Sequence, residues 1–236
     1  MRALFCHVLW AALACAALPA QPATLKATLL TRADDPRLDR SQIERAYLGH
    51  PAGQPADAVQ LAIDEAQFEL EAAGTGVTLA SDSAASLEAA RAAAQKAEKA
   101  GAAMLLVDLP TDWTVAVARS VKLPVLNVGD PADRLREADC SATLWHLLPS
   151  ERMRADALAQ ALTARKWSSV LLLTGPSADD ATRSAVAQAA LRRYGLKVAA
   201  AKPFKLSADP RERDLANPLL LTGGVSYDVV WVVDSA

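Results

Sequence analysis

VLLLTG at residues 170–175 and MLLVDL at residues 104–109 decide the fold class of this 236-residue chain. Both are near-continuous apolar runs, the pattern expected of strands that are covered on both faces in a parallel sheet. A third run of this kind, VVWVVD, spans residues 229–234. Ala-rich segments with helical spacing lie between the apolar runs. This alternation of strand and helix predicts an α/β protein built on parallel sheets.

The same patterns place the individual elements. The predicted strands are Leu25–Thr31, Val77–Ser81, Ala103–Leu109, Pro124–Gly129, Ser169–Thr174, Lys197–Ala201 and Asp228–Asp234. The predicted helices are Asp57–Ala72, Ala84–Ala100, Glu151–Arg165 and Asp179–Tyr194. Ser150 is expected to cap the third helix, with Leu158, Ala161 and Leu162 facing inward. Gly101 and Gly195 are expected to end the second and fourth helices.

The first 23 residues are predicted to be a secretory signal peptide. Arg2 precedes an uncharged apolar run over residues 4–18, and small residues and prolines follow over residues 19–23. This order is typical of an export signal, with cleavage after Ala20 or Ala23. We therefore expect the rest of the chain to be periplasmic.

Charge divides the remaining chain into two parts. Residues 24–148 carry 18 acidic and 12 basic side chains, a balance of −6, whereas residues 149–236 carry 9 and 12, a balance of +3. The change falls where a strand gives way to a capped helix, which we interpret as the crossover between two α/β lobes, 24–148 and 149–236. Because an apolar strand ends the second part, we expect that lobe either to be incomplete, by truncation, or to be covered by another chain. We favour truncation.

Composition and motifs argue against several functional classes. A formal net charge of −2 and the lack of a basic run argue against a nucleic-acid partner. The sequence contains no P-loop, dinucleotide-binding glycine pattern or nucleophile elbow. After removal of the signal peptide the remaining histidines are His50 and His146, and the remaining cysteine is Cys140. These are too few to predict a His/Cys metal cluster or a disulfide. The adjacent acids Asp34-Asp35 and Asp179-Asp180 are interpreted as capping or solvated charges. We therefore predict no enzymatic activity, no cofactor and no bound metal.

Polar residues follow the predicted strands at their carboxyl ends, where α/β folds bind ligands. The candidate ligand-binding residues are Thr111, Asp112, Trp113, Asn127, Asp130 and Ser177. A Trp beside hydroxyl and carboxylate groups can provide the apolar wall and orienting hydrogen bonds of a small-molecule cleft. Single residues also have structural interpretations, because Asp112 and Ser177 can serve as helix N-caps and Trp113 can pack on the sheet.

Two stretches resemble type I periplasmic binding proteins of the branched-chain amino-acid transport class. They are PVLNVGDPADRL, residues 124–135, and ATLWHLLPSERMRADALAQALTARKWSSVLLLTG, residues 142–175. In that family a strand ends at the ligand, a Phe-Arg-like pair begins the crossover, and a Ser- or Asp-capped helix opens the second lobe. Trp145-His146 stands at the position of the pair here, and Ser150-Glu151 stands at the cap.

A narrower resemblance points to the subfamily associated with alcohol oxidation that depends on pyrroloquinoline quinone (PQQ). It rests on LDRSQIERAYLGHPAG (38–53), PTDWTVAVARSVKLPVLNVG (110–129) and RERDLANPLLLTGGVSYDVVWVVDS (211–235). The resemblance implies two Rossmann-like lobes that close on a small solute and deliver it to an ABC permease, with the binding protein acting as a monomer.

The resemblance also bears on the ligand. Amino-acid binders present a Ser, a small residue and a Thr after the fourth strand, whereas this chain has Asn127-Val128-Gly129-Asp130-Pro131. A ligand other than an amino acid is therefore expected. The alternative is an accessory or sensor protein on the same fold, which binds a protein partner rather than serving a permease.

Overall fold

Two separate parallel sheets form the framework of residues 23–38 and 53–234, the part of the chain that the computed structural model describes. The first sheet has the order β2-β1-β3-β4-β5 and comprises β1 Ala23–Arg32, β2 Thr75–Ala84, β3 Met104–Asp108, β4 Val125–Asn127 and β5 Leu144–His146. The second has the order β7-β6-β8 and comprises β6 Ser169–Thr174, β7 Lys197–Pro203 and β8 Val229–Val233. All neighbouring strands are parallel, so the predicted α/β fold with two Rossmann-like lobes is confirmed.

Helices connect these strands. The α-helices of the described residues are α1 Pro55–Glu65, α2 Gln67–Ala72, α3 Leu87–Lys99, α4 Thr111–Ser120, α5 Glu151–Ala164, α6 Ala178–Arg193, α7 Arg213–Ala216 and α8 Pro218–Thr222. Short 3-10 helices lie at Pro36–Leu38, Asp133–Arg136 and Pro210–Glu212. No helix among the described residues is both long enough and apolar enough to cross a membrane. The predicted signal peptide, apart from Ala23, and His50 lie outside the described residues.

Each sheet has its own apolar core. In the first lobe the central strands bury Leu105, Val107 and Val125 completely against the helices α3 and α4. Helix α3 contributes only small side chains to this interface, Ala90 and Ala94. Small residues allow a helix to approach a sheet closely, which explains how a chain with 52 alanines builds a dense interior.

Several sequence-based element boundaries are wrong. The predicted helix Asp57–Ala72 is two helices, α1 and α2, which are separated at Ala66. Helix α4 is absent from the predicted helices because it follows directly after a strand, and the strand expected before the crossover, β5, has only three residues and no predicted bounds. In α5 Leu162 is buried as expected, but the other inward residues are Ala155 and Ala159 rather than Leu158 and Ala161. Small alanines face α6 here, whereas the prediction favoured the larger Leu158.

The helix ends follow the predicted capping chemistry. The Ser150 hydroxyl accepts a hydrogen bond from the Met153 amide at 3.2 Å, so the predicted cap of α5 is confirmed. Gly101 and Gly195 follow α3 and α6 with φ angles of 81° and 70°, the left-handed conformation of a Schellman ending. Lys166 takes the same position after α5 with a φ of 60°. Among the described residues it is the only non-glycine with positive φ.

Replacing Lys166 with glycine is therefore expected to stabilise the second lobe. The Cβ atom makes the left-handed conformation unfavourable, and its removal is expected to raise the free energy of unfolding by about 0.5–1 kcal/mol. Urea denaturation of both forms measures the change. Lys166→Ala is the matched control, since it removes the same charge but keeps the Cβ atom. An equal gain in the Lys166→Ala variant would show that charge, and not backbone conformation, is responsible.

Candidate ligand-binding cleft

The strand order of the first sheet creates a crevice at the carboxyl ends of β1 and β3. The chain leaves β1 toward β2 on one side and then returns to β3 on the other side, so the connections diverge between these two strands. Such a topological switch point is where open α/β sheets bind ligands. A cavity of about 730 Å³ lies here.

This cleft is lined by residues of both lobes. The first lobe contributes Arg32, Asp35, Pro36, Arg37, Asp108, Leu109, Pro110, Thr111, Gly129, Asp130 and Pro131, and the second contributes Arg154, Asp179 and Arg183. Four of these side chains are basic and four are acidic. The lining is therefore polar and has no formal net charge.

An Arg–carboxylate cluster spans the crevice. The Arg37 Nη2 atom donates to Asp108 Oδ1 at 2.7 Å, while Nε donates to both carboxylate oxygens of Asp35 at 3.0 and 3.1 Å. Both carboxylates are nearly buried, whereas the Arg37 side chain is 57% exposed. The hydrogen bond from Arg37 lowers the pKa of Asp35, and Asp35 and then Asp108 raise the pKa of Arg37. The cluster therefore ties the segment after β1 to the end of β3.

Gly129 makes room for this cluster. A Cβ atom on Gly129 would lie 1.7 Å from Asp108 Oδ1 and 2.3 Å from its Cγ, far inside van der Waals contact. Only glycine therefore lets the Asp108 carboxylate occupy its place between β3 and the loop after β4.

Asn127 holds the loop that forms one side of the cleft. Its Oδ1 atom accepts hydrogen bonds from the amides of Gly129 and Asp130 at 3.2 and 2.9 Å, and its Nδ2 atom donates to the Asp130 carbonyl at 2.6 Å. The Pro131 carbonyl then accepts from the Glu151 amide at 3.0 Å, which connects the loop to the first residue of α5. The fully buried Asn127 side chain thus shapes the cleft from beneath.

The second lobe presents a basic wall. Arg154 on α5 and Arg183 on α6 both lie near Glu151, with nitrogen–oxygen distances of 4.0 and 3.5 Å. The two arginines also line a neighbouring cavity of about 230 Å³ beside Trp231. Trp231 is therefore positioned to report on events at this wall.

The six residues proposed from the sequence do not all meet in this cleft. Thr111 and Asp130 line it, and Asn127 supports it. The Asp112 side chain is 72% exposed and pairs with Arg134 at 2.7 Å. Trp113 packs against the core of the first sheet. Ser177 caps α6, accepting from the Asp180 amide at 2.9 Å, and lines a separate cavity.

Sequence reasoning missed most of the charged lining. Asp108 carried a recognisable signal, because it is a carboxylate inside an otherwise apolar strand. Asp35 makes the capping contact that the sequence suggests, accepting the Arg37 amide at 2.9 Å, but it is nearly buried and also pairs with the Arg37 side chain. No pattern marks Arg154 or Arg183, which reach the cleft only through the placement of the second lobe. Within the described ranges, no group of three His, Cys, Asp or Glu side chains could hold a metal ion.

The overall architecture is similar to that of solved periplasmic binding proteins. A branched-chain amino-acid ABC transporter protein from Rhodopseudomonas palustris matches with a TM-score of 0.63 and 11% identity, over 90% of this chain and 56% of its own. A substrate-binding protein from Desulfitobacterium hafniense, in complex with Leu, matches with a TM-score of 0.60 and 14% identity, over 89% and 58%. A solute-binding protein from R. palustris in complex with benzoate matches with a TM-score of 0.56 and 14% identity, over 90% of this chain and 56% of its own.

The likeness is one of fold. No protein-family model and no curated protein matches the sequence. The chain spans about half the length of the solved structures that it matches, 54% in a periplasmic binding protein from Burkholderia mallei. Three of these neighbours are a periplasmic binding protein, a periplasmic ligand-binding protein and a substrate-binding protein, and at 14–17% identity the likeness extends to the fold alone.

Proposed function

We propose that this chain is the periplasmic solute-binding component of an ABC importer. The observation that carries the proposal is the cleft at the β1/β3 switch point, which receives polar side chains from both lobes. A solute that contacts both walls binds the closed arrangement better than the open one and so shifts the population toward closure. The fold of the transporter binding proteins described above supports the same role.

The proposal includes the organisation of the chain. Residues 1–23 direct export and are removed, residues 24–148 and 149–236 form the two lobes, and the protein works as a monomer that docks on a membrane permease. The two separate parallel sheets, β2-β1-β3-β4-β5 and β7-β6-β8, support the division into two lobes.

The lining also favours a class of solute. The four arginines and four carboxylates of the cleft balance, and two of those carboxylates are already engaged by Arg37. A lining with no formal net charge has no overall preference for an anion or a cation, so that hydrogen bonds to a polar solute become the main means of recognition. A small, polar, uncharged solute is favoured, and together with the sequence resemblance this points to an alcohol or aldehyde of PQQ-dependent alcohol oxidation.

A ligand screen tests the proposal. The purified protein is titrated with alcohols, aldehydes, carboxylates including benzoate, leucine, PQQ and metal ions, and both tryptophan fluorescence and thermal melting are followed. We expect a saturable response to at least one uncharged polar solute. Thr111→Val is expected to weaken that binding about tenfold, the value of one hydrogen bond to a ligand.

Asp112→Asn is the matched control, since Asp112 is adjacent to Thr111 but points away from the cleft. Affinity is expected to stay unchanged in this variant, because an exposed ion pair contributes little. The lack of any ligand-induced change across the whole panel would refute the solute-binding proposal. Co-purification of a dehydrogenase or kinase in place of a permease would favour the accessory or sensor alternative.

A further inference from the structure

His146 contacts the side chain that holds the cleft loop. It is the last residue of β5 and lies opposite Asn127 in the β4–β5 register. The His146 Nδ1 atom is 3.2 Å from Asn127 Nδ2. Asn127 therefore contacts both the His146 imidazole and the cleft loop, which comprises residues 128–131.

The hydrogen bonds determine the tautomer of this imidazole. Asn127 Oδ1 accepts from the amides of Gly129 and Asp130, which fixes the orientation of the carboxamide and turns its NH₂ group toward His146. Because an amide nitrogen can only donate, His146 Nδ1 must be the acceptor and carries no proton. The other ring nitrogen then holds the proton, and the Leu135 backbone acts on the ring by raising the pKa of His146.

Protonation is incompatible with this arrangement. A proton on Nδ1 would place two donors against each other at 3.2 Å. Rotating the Asn127 carboxamide would relieve that clash, but it would remove the acceptor from the Gly129 and Asp130 amides. Protonation therefore costs the Asn127 side chain either its contact with His146 or its bonds to the loop.

Two charged groups face the imidazole. Arg136, on the 3-10 helix Asp133–Arg136, disfavours the imidazolium, whereas Asp130, on the loop after β4, favours it. Partial burial and then Arg136 lower the pKa of His146 below its ordinary value, and these effects outweigh Asp130 and the Leu135 bond. Neutral His146 is thus the form that the native structure holds near pH 7.

We propose that His146 is a positioning residue for the cleft, and that its protonation releases the loop 128–131 from Asn127 and weakens ligand binding. The effect on ligand binding rests on the proposed function. Release of the loop does not, because it follows from the contacts of Asn127 alone. The loop also accepts the Glu151 amide through Pro131, so its release extends to the start of α5.

The sign of the pH dependence follows from the lowered pKa. The unfolded chain takes up a proton on this residue as the pH falls through about 6.5, before the native state does. The contribution of His146 to stability is therefore complete above that pH and is lost progressively as the pH falls to the native pKa. Loop release follows the native titration and so occurs at the lower end of this window.

Nuclear magnetic resonance of the ligand-free protein tests the proposal. Imidazole nitrogen shifts are expected to show protonation at Nε2 at neutral pH and titration below about 6.5. Hydrogen-exchange protection of the Gly129 and Asp130 amides is expected to fall about tenfold along the same titration, the loss of one buried hydrogen bond. Protection of Leu172 in β6 of the second lobe should fall less than that of the loop amides, which separates loop release from global unfolding.

Two variants sharpen the result. His146→Gln keeps an oxygen acceptor for Asn127 but cannot titrate, so loop protection is expected to become independent of pH. His50→Gln removes the other imidazole of the mature chain and is expected to leave the response unchanged. A proton on Nδ1 at neutral pH, or constant loop protection through the wild-type titration, would overturn the proposal. Since no ligand is used, this result is independent of whether the solute screen succeeds.

Discussion

Gly129→Ala is expected to destabilise the first lobe by about 3 kcal/mol, at the upper end of the cost of overpacking a buried site. The new methyl carbon would occupy the position of the Asp108 carboxylate, 1.7 Å from its Oδ1 atom. To relieve that overlap the carboxylate must leave its place, and the Arg37–Asp108 ion pair breaks with it. Urea denaturation followed by far-ultraviolet circular dichroism and by tryptophan fluorescence measures the loss.

A control and a double-mutant cycle make this test specific. Gly76→Ala places a methyl group where no atom lies within 4 Å, so its effect is expected to be neutral or slightly stabilising. Asp108→Ala removes the closest contacts of the new methyl, leaving the Asp108 Cα atom 3.1 Å away. The cost of Gly129→Ala should therefore shrink by more than half in the Asp108→Ala background. Simple additivity of the two substitutions would contradict the steric explanation.

Asn127→Leu is expected to cost about 3–5 kcal/mol, because leucine has the same branched shape but no polar atoms, and so leaves buried polar groups without partners. The Gly129 amide, the Asp130 amide and the Asp130 carbonyl all lose their hydrogen bonds to the side chain. The same denaturation experiment measures the loss, and ligand binding is expected to disappear with the loop conformation.

Asn217→Leu provides the comparison for Asn127→Leu. Asn217 is the N-cap of the short helix α8 and accepts a single hydrogen bond, from the Leu219 amide at 2.9 Å. Its replacement is expected to cost only about 1 kcal/mol, the usual value of a helix cap. Equal costs at the two positions would mean that the hydrogen bonds of Asn127 are not what stabilises the cleft loop.

The fold could be predicted to the extent that it depends on local patterns. Runs such as VLLLTG gave the right strand because burial on both faces leaves a continuous apolar signal; β6 was predicted to the residue. Ser150, Gly101 and Gly195 were correct because caps depend on the chemistry of one residue. The division of the predicted helix at Ala66 carried no such signal, since alanine is compatible with both a helix and its interruption.

Only the cleft residues that lie near the carboxyl ends of strands could be predicted from the sequence. Thr111 and Asp130 lie directly at strand ends and were found from the topology of α/β sheets. Arg37, Arg154 and Arg183 reach the cleft from a 3-10 helix and from two helices of the other lobe, and ordinary surface arginines have the same sequence environment. Trp113 illustrates the opposite error. Its aromatic side chain suggests the apolar wall of a ligand site, but the structure packs it against the core of the first sheet.

The central place of β1 in its sheet also determines the order in which the first lobe can fold. Its first residue pairs with Thr75, and Ala27 pairs with Met104, so both neighbours lie far away along the chain. Closing such long loops costs entropy before any contact is gained, and folding slows accordingly. The N-terminal strand therefore remains unpaired until β2 and β3 have left the ribosome.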